Sequence, residues 1–493
     1  MIPILSVLLL LPIASAGPAY LMLGKNRKAG LWFTIGVALA ELALSLYLFY
    51  SIYASAPAAG SYAFTEQYSW VSISTFGVNY LVGADGLSSP LVLAAALLTV
   101  FALVGSRRLV NSNEPAYYAL ILLFEGAIIG VFVSLNLVLF YFFWDLVMIP
   151  MFFLIGVWGG DRKKYAAMKF MMFIITGSMI LLLALLAAYM GVTPTTFDIP
   201  SLAGRIPAGI QYLPLLASFI GFGIKLPVFP LHSWLPDAYT QAPAPVAVLL
   251  AGVQSAMGGY GIIRISIGLF PQASYAWAWG FMVVGIATMF YGAFVAIVSK
   301  DLRSMFAYTS IAGMGFVVFG SFASVASGSV LGMEGAILQM FVHAFTAGAL
   351  FMLAGYVQRG VGTTEISSLR GLRTLIPRTG TLLVFVCAAA MALPPFGSFV
   401  AEVLVIVGGI AASPYTAFTI LVPVMIGGYL LWMIRKTVLS APDGGATGTD
   451  MQGIDAGVLA LYLVPLIIML FFSVLVLGPA APVVQHLLQL VSH

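Results

Sequence analysis

The sequence predicts an all-α polytopic membrane protein of about fourteen transmembrane helices, containing two inverted five-helix repeats with one broken helix in each. Three observations lead there. Of the 493 residues, 62% are hydrophobic and only 7% charged, against about 25% charged in soluble domains, so water is not the solvent for most of the surface. Apolar windows of about 17–25 residues, the length that crosses a bilayer, fall at 2–22, 29–53, 87–105, 115–134, 137–158, 166–190, 210–234, 243–268, 274–298, 301–323, 333–357, 380–411, 415–439 and 455–479. Finally, 17 of the 20 Lys and Arg lie in or beside the odd-numbered connections. The positive-inside rule makes those connections cytoplasmic and both termini extracytoplasmic.

Taken in order, the first three spans form an N-terminal unit, 1–110, with a long connection at 54–86 whose alternating Tyr, Trp, Val and Ile predict short surface strands. The opening run imitates a signal peptide but lacks a positive n-region, so it reads as a retained first helix. Residues 111–270 hold spans four to eight, 271–440 spans nine to thirteen, and 441–493 a last helix. Five is odd, so the second unit enters the membrane from the side opposite to the first. Proteins built this way place ion sites at broken helices near the midplane.

Several chemistries are excluded. The single Cys387 rules out an internal disulfide, a cysteine-ligated iron–sulfur cluster and a structural zinc site. Of four histidines two stand near the C-terminus, and no glycine-rich phosphate loop follows a strand, so neither a haem pair nor a nucleotide site is expected.

The breaks carry the candidate site. Lys225 sits inside the seventh span and Pro227 ends its helix two residues later. An ammonium near the bilayer centre costs about 2.5–3.5 kcal/mol on insertion scales, and non-helical backbone at that depth must line protein or a wet cavity. Charges within spans are functional by default, and those singled out are Glu125, Asp145, Lys225 and Glu402, with His343 as a further titratable group. Asp145 has no neutralising neighbour in its run Tyr141–Pro150, which makes Lys225 its partner. A pair that closes and opens binds and releases a proton at the lysine. His343, with an ordinary pKa of about 6.5, suits a relay, and Glu402 follows the second break as Lys225 precedes the first. Glu125 and His232, the latter beyond the first break, are secondary candidates.

These segments resemble a known family. Phe142–Phe143–Trp144–Asp145, followed by Ile149–Pro150–Met151 and Gly156–Val157–Trp158–Gly159–Gly160, is similar to one of its characteristic helices. Lys225–Leu226–Pro227 with Pro230–Leu231–His232–Ser233–Trp234–Leu235–Pro236–Asp237–Ala238 is similar to another, and Asp301–Leu302–Arg303 and Gly397–Ser398–Phe399–Val400–Ala401–Glu402 match as well. The chain resembles the antiporter-like membrane subunits of respiratory complex I, of the M type that is chain 4 in mitochondria. The D-type component of multi-subunit Na+/H+ antiporters is the nearest rival, and a glutamate at position 402 favours the M type. The resemblance implies a proton-translocating subunit of the cytoplasmic membrane with no cofactor of its own. It implies partner chains that carry flavin, iron–sulfur clusters and a quinone-like carrier, alongside other antiporter-like and small membrane subunits, and no nucleic acid. The chain departs from the family in having Asp145 for the usual glutamate, Ala256 for a second lysine and Gly313 for a histidine. Set against the family, the relay is thinned: either water held by Gln254 and Ser255 fills the gap, or transfer across the chain is altered. The divergence suggests a distant complex, such as one oxidising a reduced deazaflavin (F-420) in place of NADH.

Overall fold

The computed structural model describes residues 3–55, 57–73, 76–110, 112–443 and 445–492. Among these residues, seventeen helices carry the fold: α1 (Ile4–Lys25), α2 (Arg27–Ser55), α3 (Ser88–Leu109), α4 (Glu114–Val133), α5 (Leu137–Trp158), α6 (Lys163–Met190), α7 (Tyr212–Lys225), α8 (Leu235–Gln241), α9 (Ala244–Ile267), α10 (Pro271–Val298), α11 (Leu302–Ser327), α12 (Leu331–Val361), α13 (Pro377–Ala390), α14 (Gly397–Ala412), α15 (Pro414–Thr437), α16 (Gly453–Phe471) and α17 (Val474–Val491). The helices α9, α11 and α12 are almost wholly buried, whereas α1, α2, α6, α10 and α15 keep an exposed apolar face, as helices facing lipid do. The expected spans are all present. The seventh is α7 plus α8 and the twelfth is α13 plus α14, each interrupted where the prolines stand.

The strands fall where the alternation predicts them. β1 (Ala63–Ile73) and β2 (Phe76–Ala84) pair antiparallel, with Tyr68 opposite Tyr80. The hairpin also finishes α1, whose N-cap residue Pro3 supplies no side-chain acceptor. Glu66 of β1 accepts the Leu5 N–H at 2.8 Å and a bond from the Ser6 hydroxyl, which places a carboxylate on orphan donors at the positive helix end.

The two repeats share an internal signature. Asn136 caps α5 by accepting from Val138 and Leu139, and its backbone pairs with Asp198 in the connection after α6. Asp301 caps α11 by accepting from Arg303 and Ser304, and its backbone pairs with Glu365 in the connection after α12. The flanking hydrogen bonds repeat too: Leu137 N–H to Phe197 and Ile199 N–H to Leu135 in one unit, Leu302 N–H to Thr364 and Ile366 N–H to Lys300 in the other. The second helix of each unit is therefore anchored by a cap and a short antiparallel bridge to the connection that leads into the broken span.

The C-terminus departs from expectation. The last span ends at Phe471 rather than near 479, and a separate helix, α17, begins at Val474. Its buried residues Val476, Pro479, Ala480, Val483, Val484 and Leu487 follow the i, i+3, i+4, i+7 spacing of an amphipathic helix. Pro479 abuts Gly86, His486 abuts Gly60, Leu487 abuts Gly268 and Leu490 abuts Gly204, all in or beside connections on one face. So α17 lies across span ends, on the face that carries the hairpin and the start of α1, and both termini share that face.

Candidate functional site

The first break is made by local backbone chemistry. Pro227 has no N–H, and the Val228 N–H reaches past its usual partner to the Gly223 carbonyl at 2.8 Å. The Ile224 carbonyl is thereby freed, and the Trp234 indole N–H satisfies it at 2.8 Å. This explains how a helix can stop deep in apolar surroundings without an orphaned carbonyl. Lys225, 1% exposed, then has one route out of its helix end.

That route leads to the residue beside the expected partner. Lys225 Nζ donates to the Trp144 carbonyl at 2.6 Å and lies 3.7 Å above the Trp144 ring; Phe222 packs edge-on to that ring at 5.2 Å. The Trp144 carbonyl is presented where α5 is interrupted around Val147. Asp145 turns instead toward α6, where its Oδ1 accepts the Ser178 hydroxyl at 2.5 Å. Among the described residues no ion pair within 4.0 Å joins Lys225 to Asp145, although the field of Asp145 reaches the lysine. The structure thus holds the pair open, with the ammonium on a carbonyl and an aromatic face, which offers cation–π attraction of about 2 kcal/mol or more when desolvated.

The second break assembles the other two residues. His343 of α12 and Glu402 of α14 line one cavity of about 30 Å³, together with Ser310, Gln339 and Ser398. That volume suits about one water. His343 Nε2 is 2.9 Å from the Ser310 hydroxyl, and the Thr309 hydroxyl meets the Tyr429 hydroxyl at 2.7 Å. Among the described residues Glu402 Oε2 has no hydrogen-bond partner. Gly313 has a steric reason here: a Cβ at this position would lie 2.8 Å from His343 Nδ1, so a histidine there would displace the ring.

Between the breaks, α9 departs from regular α-helix over Leu250–Gln254 and Ile262–Ile267, where it is a π-helix, a geometry frequent at functional sites. Gln254 is buried with neither amide atom paired among the described residues, whereas the Ser255 hydroxyl bonds back to Ala251 at 2.7 Å. His232 stacks on Phe229 and meets the Tyr291 ring at a tilt, and its Nδ1 has no hydrogen-bond partner among the described residues. Glu125 stands apart from this axis, on α4 against α1, its neighbour Gly126 touching Leu9 and Ile13.

Sequence reasoning misses several buried charged groups, Glu41, Asp85 and Arg264 among them. Glu41, inside the second apolar run, is fully buried, unpaired among the described residues, and the acid whose charge reaches Glu125; the signal that singles out Glu125 is present for it too. Asp85 and Arg264 form a buried ion pair at 2.5 Å, with Tyr62 and Tyr260 flanking the guanidinium. Sequence puts Arg264 at a span end, and Asp85 carries no signal beyond its lone charge.

Residues 134–427 match the family model described as the membrane part of NADH:quinone oxidoreductase and Mrp antiporter subunits. The chain belongs to that family. A chain named NAD(P)H-quinone oxidoreductase chain 4 1, from Picosynechococcus sp., is 38% identical over 83% of this chain and 75% of its own length. Respiratory complex I from Thermus thermophilus with bound NADH contains a chain that superposes with a TM-score of 0.88 at 26% identity, covering 99% of both chains. A chain of the Mrp complex from Dietzia sp. shares the fold, with a TM-score of 0.87 at 18% identity over 100% of this chain and 99% of that one. The matched region begins just before α5 and ends within α15, so it holds both broken spans and the residues named at the Lys225 site and around Glu402, apart from Tyr429.

Proposed function

We propose that this chain translocates protons as a membrane subunit of a complex I-like respiratory dehydrogenase, driven by redox chemistry in partner subunits. One observation carries the reading: two broken spans of an inverted repeat each present a buried ionisable group, Lys225 and Glu402, and the second faces a histidine across a water-sized cavity. The Asp145–Lys225 pair is the loading element. Closed, the ammonium faces a carboxylate; open, it faces the Trp144 carbonyl and ring, as here. The switch between these surroundings binds and releases a proton at Lys225. Transfer then runs along α9 past Ala256, where Gln254 offers both a donor and an acceptor to water, to His343 and Glu402. The exit is on the face of the two termini, which is extracytoplasmic by the distribution of Lys and Arg. Driving one charge against 100 mV takes about 2.3 kcal/mol, which is within reach of exchanging a carboxylate for a carbonyl in a low-dielectric site.

The redox centres, flavin and iron–sulfur clusters with a quinone-like acceptor, belong to partners in this reading, and this chain contributes none. Purification of the tagged chain in mild detergent, with mass spectrometry and visible spectra, tests it. Flavin-bearing and iron–sulfur subunits beside other antiporter-like chains are expected, and their identity tells an NAD(P)H from a deazaflavin donor. Small hydrophobic companions without any chromophore would instead make the chain part of a Na+/H+ antiporter.

A further inference from the structure

A large cavity lies away from both breaks, on the face that carries the basic residues. It has a volume of about 390 Å³ and opens where α3 and α12 end, α11 begins and the α8–α9 turn crosses. Arg108, Arg303 and Arg359 line it, with Gln241, Gln358 and Trp158, and no carboxylate is among its described lining residues.

The hydrogen bonds leave these cations under-neutralised. Arg303 Nη1 donates to the carbonyls of Thr240 and Ala242 at 3.0 and 3.4 Å, and Arg359 Nη1 to the carbonyl of Arg108 at 2.7 Å. A carbonyl holds a guanidinium in place without cancelling its charge. Among the described residues the ion pairs within 4.0 Å include neither Arg303 nor Arg359, while Arg108 has Asp455 at 3.8 Å. Asp301, the acid that acts on Arg303, is already engaged by the N-terminus of α11 and the Thr364 hydroxyl. Three guanidinium groups thus converge on a cavity of small-ligand size, and among the described residues Asp455, beside Arg108, is the one carboxylate in an ion pair with any of them. Nothing in the proton route uses them.

We propose that this cavity is an oxyanion site that takes the phosphate of an anionic phospholipid headgroup. Guanidinium forks match phosphate oxygens in pairs, and basic pockets between spans at the cytoplasmic boundary are where such headgroups sit. Trp158 at the rim, its indole N–H bonded to the Ser112 carbonyl at 2.6 Å, is the type of residue found at headgroup level. Free inorganic phosphate has the same chemistry and is the other source to distinguish.

The test uses the full chain in the assembly with which it purifies, stripped of lipid by detergent washing. Phosphatidylglycerol, phosphatidylcholine and inorganic phosphate are added separately, and retained lipid is counted by native mass spectrometry. The wild type should keep phosphatidylglycerol in preference to phosphatidylcholine. R359Q and R303Q should each weaken retention by about tenfold, the scale of one lost charge-assisted contact. R359K should recover part of it, and R435Q, outside the cavity, should behave as wild type. If inorganic phosphate binds with the same dependence on Arg303 and Arg359 and displaces the lipid, the site is an oxyanion site filled from solution. Equal retention of both lipids, or retention unchanged in R359Q and R303Q, would overturn the proposal; R359Q and R359K differ only in an exposed side chain, so their comparison survives any folding defect in R303Q.

Discussion

Ser178 and Asp450 show what single hydroxyl and carboxyl groups contribute. Ser178 holds Asp145 away from Lys225, so Ser178→Ala should favour the closed pair by about 0.5–1.5 kcal/mol, the net worth of a hydrogen bond. The pH profile of coupled turnover should move while assembly is unchanged; an unmoved profile would mean that the Ser178 contact does not set the pair. Asp450, in the connection before α16, caps α13 from a distance: it accepts from Arg378 N–H at 2.7 Å, Thr379 N–H and hydroxyl at 3.2 and 2.7 Å, and its neighbour Met451 N–H at 2.8 Å. Partial burial works to raise the carboxyl, but these bonds prevail and hold it below the usual carboxylate range. A depressed carboxylate stabilises the fold above its unfolded pKa, about 3.9, and that stability is lost as pH falls through the lower folded value. Asp450→Asn should therefore lower the melting temperature at neutral pH, and the deficit should shrink as the pH is taken below about 4. A deficit that does not vary with pH would place the effect in packing rather than charge.

At the scale of elements, the breaks were legible because their causes are local: Pro227 and the pair Pro394–Pro395 remove donors from apolar helices whatever surrounds them. What sits opposite each break was not legible. Sequence pairs Lys225 with Asp145 by charge, yet the reach of the lysine and the interruption in α5 deliver it to the Trp144 carbonyl, a group that no side-chain pattern records. The reason for Gly313 was hidden in the same way, since its meaning is the space it leaves for His343. Gly313→His should push that ring off Ser310 and lower protons moved per electron while electron transfer continues; an unchanged ratio would show that the relay tolerates another ring there. Close packing makes a parallel case at Gly258, where a Cβ would lie 2.6 Å from the Phe222 carbonyl oxygen. Gly258→Val should separate α9 from the broken end of α7 and cost about 1–3 kcal/mol, read as a lower melting temperature of the assembly. Helix α17 was missed because the run from Asp455 to 479 carries no further charge, and hydropathy alone does not separate a spanning run from the buried stripe of a helix lying on the surface.

For the whole molecule, composition and the distribution of Lys and Arg carried most of the reading. The alternation of basic connections follows the span count, and the paired caps at Asn136 and Asp301 show the two units built alike. Glu41 and the Asp85–Arg264 pair lay outside it, because buried charges that meet across the bundle leave no spacing in the sequence. The proposed proton translocation depends on a buried lysine at the first break coupling proton movement to redox chemistry elsewhere. The decisive quantity is the number of protons moved per electron by the purified complex in sealed vesicles, comparing wild type with Lys225→Ala. The variant should assemble with all subunits and cofactors retained, and its redox-driven acidification should be lost. Full acidification by the assembled variant would remove Lys225 from the proton route.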